Sequence, residues 1–285
     1  MPPAIARSLR SPRVVIALLI ILGIVLCAIF AGRIAPNDPS EQNLLSILTP
    51  PLWMAGGDPQ FPLGTDSLGR CVLSRLIFSA RTAMLVALFA SLGAMIVGTI
   101  LAHISGYFGG ATDWIIGRLV DVWMSFPPVV LSLILMVGLG IGLDRVILAI
   151  ILVDWTRFCR VLRSEVLVVT HNDYVAAARL LGFTHLQAIV REVLPATLPL
   201  LITLMSLEMA IAVIVEAILS FVGMGVGANQ PAWGQMIADA RQYVYQSPWN
   251  LLLPALAIFV TVTAFNLLGD GLRRTLDVRL SESGR

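Results

Sequence analysis

Long uncharged stretches dominate the pattern of hydrophobic and polar positions along this chain. Residues 14–32, 122–143 and 242–269 contain 19, 22 and 28 consecutive residues without a charged side chain. About 20 apolar residues in a helix cross the hydrocarbon core of a bilayer. Because lipid offers the backbone no hydrogen-bond partners, such segments must pair their own N–H and C=O groups as helices. The pattern therefore predicts an all-α membrane protein.

Six transmembrane helices are predicted from the pattern. They lie near residues 14–32, 83–104, 119–140, 144–162, 197–222 and 251–270. Asp154, Arg157 and Arg160 interrupt the fourth, which predicts a short or tilted span packed inside the bundle. The third contains the sequence Phe-Pro-Pro at 126–128. Since proline removes a backbone donor and clashes with the preceding turn, a kink or hinge is expected there.

The composition supports the membrane class and argues against several functions. Of the 285 residues, 58% are hydrophobic and 13% are charged, whereas soluble domains carry about 25% charged residues. The net charge of +2 does not indicate a nucleic-acid partner. The three cysteines and three histidines follow no metal or redox spacing, so neither a metal nor another cofactor is predicted.

The distribution of arginine predicts the orientation in the membrane. With the N-terminus inside, the cytoplasmic segments hold 13 arginines and the outer segments hold 6. Basic residues concentrate on the cytoplasmic side of membrane proteins. We therefore expect a multi-pass membrane protein with both termini in the cytoplasm.

These boundaries divide the chain into five parts. They are a cytoplasmic N-terminus (1–13), a first transmembrane helix (14–32), a periplasmic segment (33–82), a core with five transmembrane helices (83–280) and a cytoplasmic tail (281–285). Within the periplasmic segment, apolar residues between Val72 and Ala80 share one helical face. With Asp66 or Ser67 as N-cap, this pattern predicts a short amphipathic helix along the membrane interface.

The cytoplasmic segment 171–195 predicts a helical hairpin. Asn172 or Asp173 is suited to cap a first helix, and Gly182 to end it, because glycine adopts the left-handed conformation found after helix C-termini. Thr184 with Gln187 forms a capping box for a second helix. Pro195 follows the second helix.

This hairpin resembles the EAA loop of ABC importer permeases. The loop's Gly-to-Leu-Pro spacing and small residues are matched here by Ala177, Ala178, Gly182, Leu194 and Pro195. Two positions differ from the usual pattern. Ala176 stands where the family often has Glu, and Glu192 stands where Ile is frequent.

Three further segments resemble signatures of the peptide/nickel permease family. They are 61–81, with Cys71 where Asp is usual, 216–237 and 265–277. The resemblance covers about 60 to 280, and the C-type permease of dipeptide, oligopeptide and nickel importers is the most similar type. It implies a type I importer permease of the bacterial inner membrane, with six transmembrane helices and cytoplasmic coupling helices.

The resemblance also implies a mechanism and partners. The hairpin would be the coupling helix that docks on one of two ABC ATPase subunits. A second homologous permease, membrane lipid and an extracytoplasmic solute-binding protein would complete the assembly. The residues assigned to coupling are Tyr174, Ala176, Ala177, Ala178, Arg179, Gly182, Glu192, Leu194 and Pro195. The chain has no Gly-x-x-x-x-Gly-Lys-Ser/Thr loop, so ATP hydrolysis is expected on the partners and not on this chain.

Short peptides are the first substrate expectation, with nickel or a metal chelate as the alternative. Intramembrane Glu208 and Glu216 are candidates for the translocation pathway, because ionisable groups in lipid are costly and face a wet cavity or a neighbouring helix. Phe126 and Pro127 are further pathway candidates. An ion-coupled secondary transporter using the two glutamates is the alternative of another class, although such folds are commonly built from paired repeats.

Two other groups of polar residues have simpler interpretations. Arg118 and Asp121 are spaced for an i,i+3 ion pair on one helix. In the outer loop, Trp233, Gly234 and Asp239 are candidates for contact with the binding protein or for lining the exit of the pathway.

Overall fold

The computed structural model describes residues 12–227 and 230–276, and within these ranges it contains helices but no β-strand. The helices are α1 (Pro12–Ile29), α2 (Ala31–Ile34), α3 (Val72–Phe108), α4 (Gly110–Met124), α5 (Pro128–Leu139), α6 (Leu143–Thr170), α7 (Asp173–Leu180), α8 (His185–Ala188), α9 (Leu194–Phe221), α10 (Trp233–Ala240) and α11 (Trp249–Leu276). The predicted cytoplasmic tail lies outside the described residues, as does nearly all of the predicted cytoplasmic N-terminus.

In the part of the chain that the structure describes, four helical stretches are long and apolar enough to cross a membrane. They are Pro12–Ile29, Val72–Phe108, His185–Phe221 and Trp249–Arg274, and α4 with α5 adds a fifth if the bent pair counts as one span. The predicted fourth span corresponds to α6. This helix contains too many charged residues to count among the apolar spans. The all-α membrane architecture is confirmed, while the count of six spans stays a prediction.

The third predicted span is broken at the expected position. Helices α4 and α5 meet at an angle of 87°. Pro127 lies at the N-cap of α5 and Pro128 occupies its first turn, where a missing backbone N–H breaks no helical hydrogen bond. The kink predicted from residues 126–128 is therefore confirmed as a sharp break.

The predicted short interfacial helix is wrong as a separate element. Residues 72–80 form the first turns of α3, which continues for 37 residues, or about 55 Å at 1.5 Å per residue. The N-cap is Cys71, not Asp66 or Ser67. No helix-breaking residue separates this stretch from the apolar run that follows, and Arg75 is only 2% exposed because it joins a buried ion-pair cluster.

Close packing of α3 against α6 forms the most extensive contact between helices. Glycines make it possible, since a Cβ on Gly98 would lie 2.6 Å from the carbonyl oxygen of Trp155. Gly106 is similarly close to Val166, near the ends of both helices. The ends of α3 and α6 are thereby held together, and the hairpin α7–α8 begins directly after α6.

Candidate coupling hairpin and charged clusters

Gly182 ends the first helix of the hairpin as predicted. Its φ of +95° lies in the left-handed region. The Gly182 N–H donates to the Arg179 carbonyl (3.1 Å), and the Phe183 N–H donates to the Ala178 carbonyl (3.2 Å). This pair of hydrogen bonds is the Schellman arrangement that closes a helix C-terminus. At the other end Asn172 is the N-cap, although its side chain forms no capping hydrogen bond.

The predicted capping box of the second helix is confirmed. The Thr184 N–H donates to Gln187 Oε1 (2.9 Å), and the Gln187 N–H donates to Thr184 Oγ1 (3.3 Å). The expectation that this helix ends before Pro195 is wrong. It continues through a π-helical turn, Ile189–Val193, into α9, and Pro195 lies in the first turn of α9. The wider π turn and this N-terminal position accommodate the missing N–H.

The hairpin is anchored on the end of α3. The Arg179 guanidinium donates to the Tyr107 hydroxyl (2.9 Å) and also contacts the His185 ring. His185 Nδ1 lies 3.2 Å from the same hydroxyl, and its ring packs edge-on against Tyr107. Below this polar cluster, Val175 and Val193 pack in a buried group with Val166 and Val169 of α6. The hairpin therefore has a fixed position relative to α3 and α6.

The outer face of the hairpin is apolar and exposed. Leu180 and Leu181 are 89% and 82% exposed, and Leu186 and Tyr174 are also exposed. Among the small residues Ala176 and Ala177 face outward, whereas Ala178 is buried. Of the other predicted coupling residues, Arg179 and Pro195 are exposed while Glu192 and Leu194 are half-buried. An exposed apolar surface of this kind is typical of a protein-protein interaction site.

A cluster of two acids and one arginine joins α6 to α9 inside the bundle. Asp154 and Glu208 are both buried, and Arg157 lies between them at N–O distances of 3.6 Å and 3.7 Å. Glu208 Oε1 is buried and forms no hydrogen bond within the described part of the chain. Burying charges in pairs offsets part of their desolvation. The sequence singled out Glu208, but its partners come from a different helix.

Glu216 does not join this cluster. It is buried, and its carboxylate accepts a hydrogen bond from Ser220 Oγ at 2.6 Å, one turn further along α9. The two glutamates therefore have separate local partners, and neither is exposed on this chain. Phe126 and Pro127, the other pathway candidates, are exposed at the break between α4 and α5.

A second charged cluster ties the segment before α3 to α10. Arg70 contacts Asp66 (2.6 Å) and Asp239 (2.9 Å), and Arg75 lies 3.7 Å from both carboxylates. This cluster is not predictable from local sequence, because Asp239 is 169 residues from Arg70. The sequence contains one indication of the cluster: Arg70 and Arg75 follow Asp66 within nine residues.

The predicted outer-loop residues have different surroundings. Trp233 is buried and its indole N–H donates to the Leu76 carbonyl (3.2 Å). Gly234 packs against the backbone of Ala217, where a Cβ would lie 2.0 Å from the carbonyl oxygen. Both residues thus pack α10 onto neighbouring helices. Asp239 is partly exposed and bound to the two arginines.

The predicted Arg118–Asp121 pair is wrong. Asp121 binds Arg160 of α6, and Asp113 binds Arg163 of the same helix. The Arg118 guanidinium instead lies 5.8 Å from the centre of the Trp114 ring. Antiparallel packing of α4 on α6 brings oppositely charged residues closer across the helices than along α4. In the described ranges no group of three or more His, Cys, Asp or Glu side chains is placed to hold a metal ion.

Comparison with known proteins places these features in a family. Residues 94–282 match the model of the binding-protein-dependent transport system inner membrane component. Residues 4–51 match the N-terminal TM domain of oligopeptide transport permease C. The first match includes the hairpin, the α6–α9 cluster and α10.

Several relatives are similar over almost their whole length. The di/tripeptide transport system permease protein of Pseudomonas aeruginosa is 40% identical over 266 residues, which are 93% of this chain and 88% of the relative. The dipeptide transport system permease protein of Escherichia coli K12 is 39% identical, covering 96% of this chain and 91% of the relative. The nickel transport system permease protein of the same strain is 37% identical, covering 93% and 94%. The chain therefore belongs to the family of binding-protein-dependent transport system inner membrane components.

Proposed function

We propose that this chain is the permease subunit of an ATP-driven importer of short peptides and forms half of the translocation pathway. The observation that carries the proposal is the hairpin α7–α8, whose exposed apolar face is held rigidly by α3 and α6. A rigid lever joined to two long helices passes a movement of its docking partner to the bundle. The peptide substrate is inferred from the names of the relatives from Pseudomonas aeruginosa and Escherichia coli.

The proposed partners are inferred from the match to the binding-protein-dependent transport family and from the exposed apolar face of the hairpin. Two ABC ATPase subunits hydrolyse ATP, and one of them receives the hairpin. A second homologous permease supplies the other half of the pathway, and an extracytoplasmic binding protein delivers the substrate. The hairpin residues proposed to dock or to shape the docking face are Tyr174, Ala176, Ala177, Ala178, Arg179, Gly182, Glu192, Leu194 and Pro195.

We further propose that the segments lining the pathway include Glu208, Glu216, Phe126 and Pro127. We also propose that Asp239 lies beside the binding protein, on a helix that Trp233 and Gly234 hold in place. Support comes from the buried charges of α9, which are costly in lipid and common near transport pathways. The break between α4 and α5 is exposed, and backbone groups at helix ends need partners from protein or water.

An uptake assay tests the proposed function. The chain is reconstituted into vesicles with its partner permease, ATPases and binding protein, and uptake of a radiolabelled dipeptide is measured. We expect uptake to require both ATP and the binding protein and to persist when a protonophore collapses the proton gradient. Nickel uptake without dipeptide uptake would identify nickel, and not a peptide, as the substrate. Protonophore-sensitive uptake that needs no ATP would favour the ion-coupled alternative.

The proposed orientation has its own test. A single cysteine replaces Leu180 on the hairpin or Tyr245 in the outer loop, both strongly exposed, in a chain whose three native cysteines are removed. An impermeant maleimide added to intact cells is expected to label Tyr245→Cys, whereas Leu180→Cys should react only after the cells are opened. Labelling of Leu180→Cys in intact cells would contradict both the orientation and the coupling role.

A further inference from the structure

A wide groove between α4 and α6 is not used by the proposed mechanism. Its volume is about 740 Å³. The charged and aromatic side chains that line it are Asp113, Trp114, Arg118, Asp121, Arg160 and Arg163. We call this cavity the α4–α6 groove.

The groove extends along α4 from the end of this helix that lies near the hairpin. Gly110 lines one end, and it follows closely after Phe108, whose ring is 5.6 Å from His185 of the hairpin. The hairpin carries Asp173, Arg179 and Arg191, which are too costly to bury in hydrocarbon and must face water. The groove therefore begins where water meets lipid and continues along α4 into the apolar layer.

One of the three arginines that line the groove has no ion pair with a carboxylate in the described residues. Arg163 is bound to Asp113 and Arg160 to Asp121, so three arginines against two acids leave a surplus of one positive charge. Within the described residues Arg118 has no carboxylate partner. It is exposed beside Trp114, which is 65% exposed. The groove thus presents an available donor group for an anion.

An apolar strip on α4 lies beside the groove, next to Arg118 and outside the groove's lining. Ile115, Leu119 and Val122 are exposed on α4 at spacings of four and three residues, which place them on one face. Arg118 is three residues from Ile115 and four from Val122, so it borders this strip. A peptide carboxylate would satisfy the arginine alone. A ligand with both a phosphate and hydrocarbon chains would cover the arginine and the strip together.

We propose that the α4–α6 groove binds the phosphate headgroup of an anionic phospholipid, with the acyl chains along Leu119 and Val122. Arg118 donates to the phosphate, and Trp114 lies at the interface, where tryptophan is favoured. Basic pockets between transmembrane helices bind acidic lipid headgroups in this way. The site goes beyond the proposed function, because it requires neither a particular substrate nor a particular orientation.

Lipid selectivity of the purified transporter complex tests the proposal. The complex is placed in phosphatidylcholine nanodiscs that contain a small fraction of spin-labelled phosphatidylglycerol or spin-labelled phosphatidylcholine. We expect the complex to immobilise the anionic lipid preferentially, and Arg118→Gln to reduce this preference about fivefold. The matched control is Arg81→Gln, which removes an exposed arginine near the opposite end of α3 and should leave the preference unchanged. Gel filtration verifies that both variants form intact complexes.

Several results would overturn the proposal. Equal preference in wild type and Arg118→Gln would show that the groove does not select lipid, as would be found if the second permease covered it. Displacement of the labelled lipid by millimolar glycerol phosphate would assign the groove to a soluble phosphate. Displacement by a dipeptide would assign it to the substrate. Because lipid binding is read without transport, loss of uptake in the separate assay would affect only the proposed function.

Discussion

Replacement of Gly182 by valine is expected to lower ATP-driven uptake about tenfold while leaving the permease inserted in the membrane, because a β-branched residue at positive φ costs more than about 1 kcal/mol. No heavy atom lies within 4 Å of a Cβ built at this position. The substitution therefore acts through backbone conformation and not through a clash. Loss of the left-handed turn would change the angle between α7 and α8 and move the exposed leucines.

Co-purification of the ATPase subunits with the Gly182→Val permease, together with uptake, measures this effect. Gly182→Asn is the matched control, since asparagine tolerates the left-handed conformation better than other residues with a side chain. We expect Gly182→Asn to retain most of the docking and uptake. Equal losses in both variants would point to side-chain bulk at the docking face. Normal docking and uptake in Gly182→Val would mean that the hairpin is an ordinary connector.

Replacement of Arg157 by methionine is expected to destabilise the permease by about 3 kcal/mol, the lower end of the cost of breaking a buried ion pair. The lower end applies because Arg157 is 36% exposed, and water screens part of the interaction. Without this guanidinium, the carboxylates of Asp154 and Glu208 face each other inside the bundle without a cation. Thermal unfolding of the purified complex is the measurement.

A double variant separates the loss of packing from the loss of charge pairing. In Arg157→Met/Glu208→Gln one of the two acids is neutral, so we expect the complex to be more stable than with Arg157→Met alone. Glu208→Gln by itself should have a small effect, since it keeps the contact between Asp154 and Arg157. Stability losses that simply add in the double variant would contradict a charge-coupled cluster.

Several features of this protein follow from its sequence because they depend on neighbouring residues. The uncharged runs predict spanning helices, since each helix satisfies its own backbone inside lipid. Gly182 ends α7, and Thr184 with Gln187 starts α8, through hydrogen bonds that reach no more than five residues. The proline pair at 127–128 breaks α4 from α5 for the same local reason. The hairpin that carries part of the family resemblance is one of these locally determined segments.

Only the tertiary structure decided which charges meet. Asp121 lies closer to Arg160 of α6 than to Arg118 of its own helix, because two packed antiparallel helices present facing side chains at short range. Arg70 and Asp239, 169 residues apart, meet for the same reason. The sequence specified the groups that must be paired inside a membrane, and the packing of α4, α6, α9 and α10 selected their partners. Among the residues that the structure describes, this packing gave Arg118 no carboxylate partner.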